Sequence, residues 1–232
     1  MGMCLNCRFN SFNVSYITKL KLALSVRCRM SSVIGRVTKY VCTLYKYQAP
    51  MDYEEQLKKW IKEDSERMKA LYLAAEQRLP DWCLAAGFVR NLAWDKMHNF
   101  SSATPLNDID LIYFDPKDIA KTRDRGIEEK LNGISDFPWS VKNQARMHER
   151  NLDKPYTSAS NAMSYWIEVE TAVGARLDDN GEVTIVAPFG VELLFNYSIT
   201  LNNKRPKPVD FRKRIAEKRW LEIWQKLTVR SV

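Results

Sequence analysis

The sequence predicts an α/β (α+β) protein built on a small mixed β-sheet flanked by helices. Three observations support this prediction: one long amphipathic helical pattern, several short apolar runs of strand length, and a strong turn signal between two of these runs. Hydrophobic residues make up 45% of the 232 residues, which is enough for a core. The length fits one main domain with an appendage. We place a single domain at 51–232 and an N-terminal extension at 1–50.

The extension differs in composition from the rest of the chain. It contains eight Lys or Arg, no Asp or Glu, and four of the five cysteines. Three interpretations remain open: a targeting segment, since transit segments are basic and poor in acid; translated upstream sequence, with Met51 as the true start; or a zinc site built on the four cysteines. The cysteine spacing lacks the second close pair of most zinc sites. We expect the extension to be disordered.

Charge and cysteine content limit the function classes. The formal charge of +8 comes from the extension, because residues 51–232 contain 28 basic and 28 acidic residues. The charge of the domain therefore gives no argument for a polyanionic partner.

Cys83 is expected to be a buried free thiol, which favours a reducing compartment. No apolar run approaches the roughly 18 residues of a membrane span. We expect no membrane partner and a cytoplasmic location, or an organelle if the extension is a transit segment.

The first half of the domain contains the clearest helical pattern. Apolar residues recur at three- and four-residue steps over 52–79, with Asp52 as N-cap and Pro80 as the stop. The apolar run 82–86 then predicts a short buried strand, and a short helix is expected over 88–97.

The next elements follow the same alternation. The run 109–114 is apolar on both faces and predicts an interior strand. A charged helix is expected over 117–131 and a strand over 139–147. The remaining predicted elements are a helix over 158–173, a hairpin with strands 173–177 and 183–187 around the turn Asp178-Asp179-Asn180-Gly181, and a terminal helix over 209–227.

Two aspartates at the start of the interior strand carry the functional prediction. Side chains alternate along a strand, so Asp108 and Asp110 point the same way. Like charges side by side repel unless a cation lies between them. Hard divalent cations such as Mg²⁺ prefer oxygen ligands and keep positions open for phosphates. The pair indicates a metal-dependent phosphoryl or nucleotidyl transfer site.

A glycine before the pair strengthens this interpretation. An Asp-x-Asp motif alone is often only a solvated turn. Gly87, however, stands between a predicted strand and a predicted helix, where backbone N–H groups can approach a phosphate and the helix start favours negative charge. The order of phosphate turn, loop and paired carboxylates fits transfer from a nucleoside triphosphate.

Several blocks of sequence combine into a recognisable pattern. They include Ala86-Gly87-Phe88-Val89-Arg90-Asn91, Thr104-Pro105-Leu106-Asn107-Asp108-Ile109-Asp110, Val141-Lys142-Asn143-Gln144-Ala145-Arg146-Met147-His148 and Lys218-Arg219-Trp220-Leu221. Together these blocks resemble the nucleotidyltransferase superfamily of DNA polymerase beta-like folds, and more closely a poorly characterised, largely bacterial nucleotidyltransferase-like family. The resemblance extends over 71–229.

The resemblance implies a polymerase beta-like fold and a two-metal mechanism. Two Mg²⁺ ions, about 3.5–4 Å apart, would be bound by Asp108 and Asp110 and would orient a nucleoside triphosphate (NTP) and an attacking oxygen. The acceptor is left open among RNA, protein and a small molecule. Phe88 departs from the usual Gly-Ser phosphate turn, and Arg90 or Asn91 would compensate as donors near the same helix start.

The superfamily also implies a third acidic residue on a following strand. The predicted strand 139–147 has none, and Asn143 stands where one is expected. Glu168 and Glu192 match acidic positions of the family and are the candidates for this carboxylate, whereas Glu170 does not match. The additional nucleotide contacts expected are Lys142, Asn143 and Arg146.

Two alternatives to an active enzyme remain open at this point. One is a catalytically degenerate nucleotide-binding or interaction domain, since the phosphate turn and the third carboxylate both depart from the pattern. The other is an RNA-binding protein that uses the basic C-terminal helix. The basic residues over 204–219 are interspersed with acids, which also fits a solvated helix face.

Overall fold

The structure is a computed structural model that describes residues 51–230. The predictions for the extension 1–50 lie outside the described residues. None of the helices in the described part of the chain is long and apolar enough to span a membrane.

Two helices form the start of the domain where one was predicted. Helix α1 spans Tyr53–Lys62 and α2 spans Ser65–Ala75. Asp52 caps α1 as predicted. The prediction of a continuous helix over 52–79 was wrong because Asp64 acts as a second N-cap and accepts the backbone N–H of Arg67, so the chain restarts a helix there.

Five strands form the mixed sheet that the sequence predicted. Their order in the sheet is β3-β2-β1-β4-β5, with β2 and β3 parallel and the other neighbours antiparallel. Strand β2 is interior, and the β4–β5 hairpin is confirmed. The strands are β1 (Cys83–Ala85), β2 (Ile109–Tyr113), β3 (Trp139–Asn143), β4 (Gly174–Leu177) and β5 (Val183–Val186).

Side-chain caps shorten the elements around β3. The Asn143 side chain accepts the N–H of Ala145 and starts a 3₁₀ turn, Gln144–Arg146, so the predicted strand 139–147 ends early. The predicted helix 158–173 is reduced to a single short helix because Glu168 instead pairs as an extended residue with Leu201. The helices in this region are α3 (Gly87–Met97), α4 (Lys121–Ile134), α5 (Met147–Asn151) and α6 (Ala159–Met163), with a second 3₁₀ turn at Val169–Thr171.

The C-terminal part is also broken where one helix was predicted over 209–227. Arg219 adopts φ of +53°, and this left-handed residue separates two helices. The chain then pairs in parallel with β6 as a last strand. The elements are a 3₁₀ turn at Glu192–Phe195, β6 (Ser198–Thr200), α7 (Pro208–Glu217), α8 (Trp220–Ile223) and β7 (Thr228–Arg230).

The two faces of the sheet have different coverings. Helices α1 to α4 pack on the face that contains Leu111 and Val141. The other face carries Asp110 and Ile112 and is partly covered by α6, with Met163 against Ile112 and the buried free thiol of Cys83. The segment 52–79 therefore packs on the sheet face opposite to the one that carries Asp110.

Candidate functional site

The aspartate pair lies at the start of β2. Asp110 is opposite Ala85 of β1 and Ser140 of β3, whereas Asp108 precedes the strand and is exposed. Burial raises the pKa of the Asp110 carboxyl above its ordinary value, and the charge of Asp108 raises it further. The charges of the two carboxylates therefore interact.

Two lysines on different elements oppose this rise in the pKa of Asp110. Lys142 of β3 and Lys218 at the end of α7 both lower the pKa of Asp110, as does the Ser140 side chain. These groups do not cancel the effect, because the pKa of Asp110 stays above its ordinary value. A bound cation would favour the charged form of the carboxylate.

Each of the two aspartates lines a cavity of its own. The smaller, about 60 Å³, is at the start of α3 and includes Asp108. The larger, about 380 Å³, includes Asp110. The smaller is lined by Gly87, Arg90, Asn91, the loop 104–108, Lys218, Trp220, Ile223 and Trp224. The larger is lined chiefly by Ala86, Ile112, Lys142, Gln144, Met147, Arg150, Asn151, Trp166, Ile167, Glu168, Thr171, Arg205 and Arg214.

The start of α3 has the features of an anion site. Its N-cap is Ala86, which has no side-chain acceptor for the first helical N–H groups. The positive φ of this turn, +56°, falls on Ala86 and not on Gly87. A Cβ on Gly87 would lie 3.4 Å from Asn91 Nδ2, so the glycine keeps space open at the helix start rather than permitting the turn.

Arg90 places a buried positive charge beside this helix start. Its side chain is 6% exposed, and its contacts are uncharged: Thr171 Oγ1 at 2.7 Å and Asn91 Oδ1 at 2.9 Å. Its Nε has no hydrogen-bond partner among the described residues. Burial lowers the pKa of Arg90 to about 10, although Glu168 and the two aspartates oppose this change. The guanidinium lies 4.4 Å from the Trp220 ring centroid and 5.1 Å from that of Trp94.

Asp95 of α3 holds the loop that ends at Asp108. This residue is 3% exposed. Its carboxylate accepts the Thr104 N–H at 2.8 Å, the Thr104 hydroxyl at 2.6 Å and the Trp224 indole N–H at 2.8 Å. Sequence reasoning gave Asp95 no role of its own. The available signal was an acid within a predicted helix otherwise rich in apolar residues.

The candidate third carboxylates lie in different places. Glu168 is 1% exposed and lines the larger cavity with Asp110, with Arg214 Nε at 2.7 Å. Glu192 is exposed and lines a separate cavity of about 300 Å³ beside the start of α1. The structure therefore brings Glu168, but not Glu192, to the aspartates.

Of the three contacts predicted from the β3 region, one lines the site. Lys142 faces the larger cavity. Asn143 is on the opposite face, and its amide bonds the backbone of Asp115 and Asp118, so its prediction as a nucleotide contact was wrong. Arg146 lies in the 3₁₀ turn that follows β3.

Arg146 is also occupied elsewhere. It forms an ion pair with Asp124 of α4, and Asp124 accepts the Tyr113 hydroxyl at 2.7 Å. This cluster joins α4 to β2 and to the 3₁₀ turn that follows β3. The prediction that Arg146 contacts nucleotide was therefore wrong.

Several residues that contact Asp110 or line the two cavities were not predicted as site residues. Ser140 shares a face with Lys142 two positions later, so the strand period contained the signal for it. Arg214 and Lys218 were assigned to a basic segment that either binds RNA or forms a solvated helix face, and their four-residue spacing indicated a common face.

Comparisons with known proteins place this geometry in a family. A family model described as Nucleotidyltransferase matches residues 72–229. An NMR structure described as revealing a CCA-adding enzyme head domain is similar, with a TM-score of 0.67 and 29% identity, over 77% of this chain and 96% of that chain. A structure of tRNA-processing enzyme complex 3 has a TM-score of 0.40 and 16% identity, over 66% of this chain and 40% of that one; this score is too low to support an argument.

No curated protein matches the chain. The family match extends over most of the described residues and includes both aspartates, the start of α3 and the C-terminal helices. The mixed sheet and the similarity to a head domain agree with it. The chain therefore belongs to the nucleotidyltransferase family.

Proposed function

We propose that this chain transfers a nucleoside monophosphate from an NTP to a hydroxyl group of an acceptor, with Mg²⁺ bound by Asp108 and Asp110. One observation carries the proposal: Asp108 lines a cavity with a helix start and the buried Arg90, and Asp110, whose charge interacts with that of Asp108, lines a cavity with Glu168.

The residues present fit Mg²⁺. Within 51–230, no group of three His, Cys, Asp or Glu side chains converges to hold a metal ion. Mg²⁺ does not require such a cage, because it is commonly bound by one or two carboxylates, waters and substrate phosphates. Asp108 and Asp110 supply the carboxylates. When bound, Mg²⁺ would neutralise charge on the triphosphate and orient it.

The helix start would hold the triphosphate. The uncapped N–H groups of α3, the helix dipole and the Arg90 guanidinium all favour an anion there. Lys218 adds a second cation at the same cavity. Because Phe88 replaces the usual serine, the buried charge of Arg90 supports the expectation that this residue compensates for the missing hydroxyl.

In the proposed reaction, the acceptor oxygen attacks the α-phosphorus. A new P–O bond forms, the bond from the α-phosphorus to the bridging oxygen breaks, and pyrophosphate leaves. The acceptor proton passes to Glu168, a carboxylate on the wall of the cavity that contains Asp110. Arg214 holds this carboxylate in position through its Nε.

The test is pyrophosphate release by the full chain with Mg²⁺, each NTP in turn, and a mixture of RNA and small hydroxyl acceptors. Asp108→Asn and Asp110→Asn should reduce the rate by at least about 100-fold, since each removes a metal ligand. Asp179→Asn, at the exposed β4–β5 turn, is the matched control and should retain the wild-type rate. Wild-type rates in both site variants, with circular dichroism unchanged, would overturn the proposal.

A further inference from the structure

Basic residues are distributed unevenly around the candidate site. Between 202 and 219 the chain has eight Lys or Arg and two Asp or Glu, whereas the rest of 51–232 has 20 basic and 26 acidic residues. A domain of neutral net charge thus contains one strongly basic segment. This segment includes α7 and lines the two cavities through Arg205, Arg214 and Lys218.

Neutral groups hold part of this segment in place. Arg205 Nε and Nη1 donate to the carbonyl oxygens of Tyr165 and Asn151 at 3.3 and 3.2 Å. Lys204 Nζ donates to Ser164 Oγ at 2.6 Å and lies 4.0 Å from the Tyr165 ring centroid. Lys204 is therefore oriented by uncharged groups, and less of its side-chain entropy is lost when an anion binds it.

The larger cavity combines this basic rim with an acidic floor. Arg205 pairs with Asp153 at 3.0 Å, while the exposed Arg150 adds another cation to the rim. Asp110 and Glu168 form the acidic part. A ligand that fits both must carry negative charge along its length and a neutral hydroxyl at its end.

An aromatic side chain in the larger cavity distinguishes nucleic acids from other ligands of this kind. Trp166 is only partly buried and lines the same cavity. Stacking of a nucleic-acid base on an aromatic side chain contributes about 1–3 kcal/mol. An acidic peptide would use the rim charges but would not have a base to stack there.

We propose that the acceptor is a single-stranded nucleic acid whose phosphates follow the basic segment and whose terminal 3′ hydroxyl reaches the acidic floor. This inference rests on the proposed nucleotidyl transfer. The reaction is the same displacement: the 3′ oxygen bonds to the α-phosphorus, pyrophosphate leaves, and the strand is longer by one nucleotide.

Two matched variants of the full chain test the surface. The rim variant is Arg150→Gln/Lys204→Gln/Lys207→Gln; Lys207 stands at the start of α7, two helical turns before Arg214. The control is Arg212→Gln/Lys213→Gln/Arg219→Gln, which removes the same number of positive charges, all from the basic segment. Arg212 and Arg219 of the control line a different, apolar groove.

Binding of a 5′-labelled single-stranded RNA is measured by fluorescence anisotropy over roughly 50 to 200 mM salt. The rim variant should bind about tenfold more weakly, and its salt slope should fall by about 2, since each phosphate contact contributes about 0.7. The control should keep the wild-type affinity and slope. Equal weakening in both variants, no binding by the wild type, or equal competition by polyglutamate would overturn the inference.

Extension of the RNA separates this inference from the proposed function. With NTP and Mg²⁺, RNA with a 3′ hydroxyl should gain one nucleotide on a denaturing gel, whereas 3′-deoxy RNA should bind equally and stay unextended. If RNA is not extended while a small hydroxyl compound supports pyrophosphate release, the acceptor assignment fails and the proposed function stands. If Asp110→Asn retains pyrophosphate release, the proposed function fails.

Discussion

Ala86 has a backbone conformation that alanine rarely adopts, with φ of +56° and ψ of −119°. Such strain costs about 1–3 kcal/mol at a residue other than glycine. Two contacts impose it: the Ala86 N–H donates to Val173 O at 2.8 Å, and the Ala86 carbonyl accepts from Val89 and Arg90 at the start of α3. The strained residue is thus the one that joins the central strand β1 to α3.

Replacing this residue with glycine should stabilise the protein. Ala86→Gly relieves about 1–3 kcal/mol of strain and costs about 0.5–1 kcal/mol in chain entropy, so a net gain of about 1 kcal/mol is expected in urea denaturation. Ala85→Gly, one residue earlier in β1, has no positive φ to relieve and should destabilise. A loss of stability in both variants would show that the turn is not strained.

Some of the residues predicted from the sequence do line the two cavities. Their positions depend on strand alternation or on a helix start. Asp110 and Lys142 follow the period of two. The same rule places Asn143 with Trp139 and Val141 on the core face. Asn143 was nevertheless predicted to contact nucleotide, because it stands where the superfamily implies an acidic residue. Arg146 could not be predicted, because its direction depends on a 3₁₀ turn that a side-chain cap creates.

At the scale of elements, two buried carboxylates each join separate parts of the chain through hydrogen bonds. Asp95 joins α3 to the Thr104 loop and to Trp224 after α8. Glu170 joins a 3₁₀ turn to β6 by accepting the Thr200 N–H and hydroxyl, both at 2.7 Å, and the Ser198 hydroxyl at 3.0 Å. Each carboxylate accepts three hydrogen bonds, but only Asp95 supports the loop that carries Asp108.

This difference predicts distinct effects of Asp95→Asn and Glu170→Gln. Each amide loses one acceptor oxygen, so both variants should lose about 1–3 kcal/mol of stability. Only Asp95→Asn should also raise the Mg²⁺ concentration for half-maximal pyrophosphate release, by about tenfold or more, because Asp108 shifts. Assays below the unfolding transition of both variants separate the effects. An equal change in Mg²⁺ dependence would assign Asp95 a purely structural role.

At the scale of the whole molecule, the sequence predicted the mixed sheet, the interior β2 strand and the β4–β5 hairpin. These depend on hydrophobic period and turn chemistry, which are local. The long helices predicted over 52–79, 158–173 and 209–227 were each broken. Their breaks depend on caps and on tertiary pairing, such as Glu168 with Leu201, which override helical periodicity.

The buried thiol predicts how stability changes at alkaline pH. Burial raises the pKa of Cys83 far above the ordinary 9.0, so above pH 9 the unfolded chain loses this proton and the folded chain keeps it. Stability present below pH 9 should fall as pH rises, by about 1.4 kcal/mol at pH 10. Urea midpoints at pH 8 and 10 measure the change. Cys83→Ala should reduce it by that amount; an unchanged pH dependence would contradict the assignment.

The hydrogen bond between Asp95 and Trp224 joins positions 129 residues apart, and the backbone N–H of Lys226 donates to His98 over 128 residues. A ribosome makes the chain from its amino end, and early segments begin to fold first. The two aspartates, Asp95 and all five strands of the main sheet therefore emerge before Trp224, which donates to the Asp95 carboxylate. A nascent chain can complete its sheet, but the hydrogen bonds around Asp95 are complete only after Trp224 has left the exit tunnel.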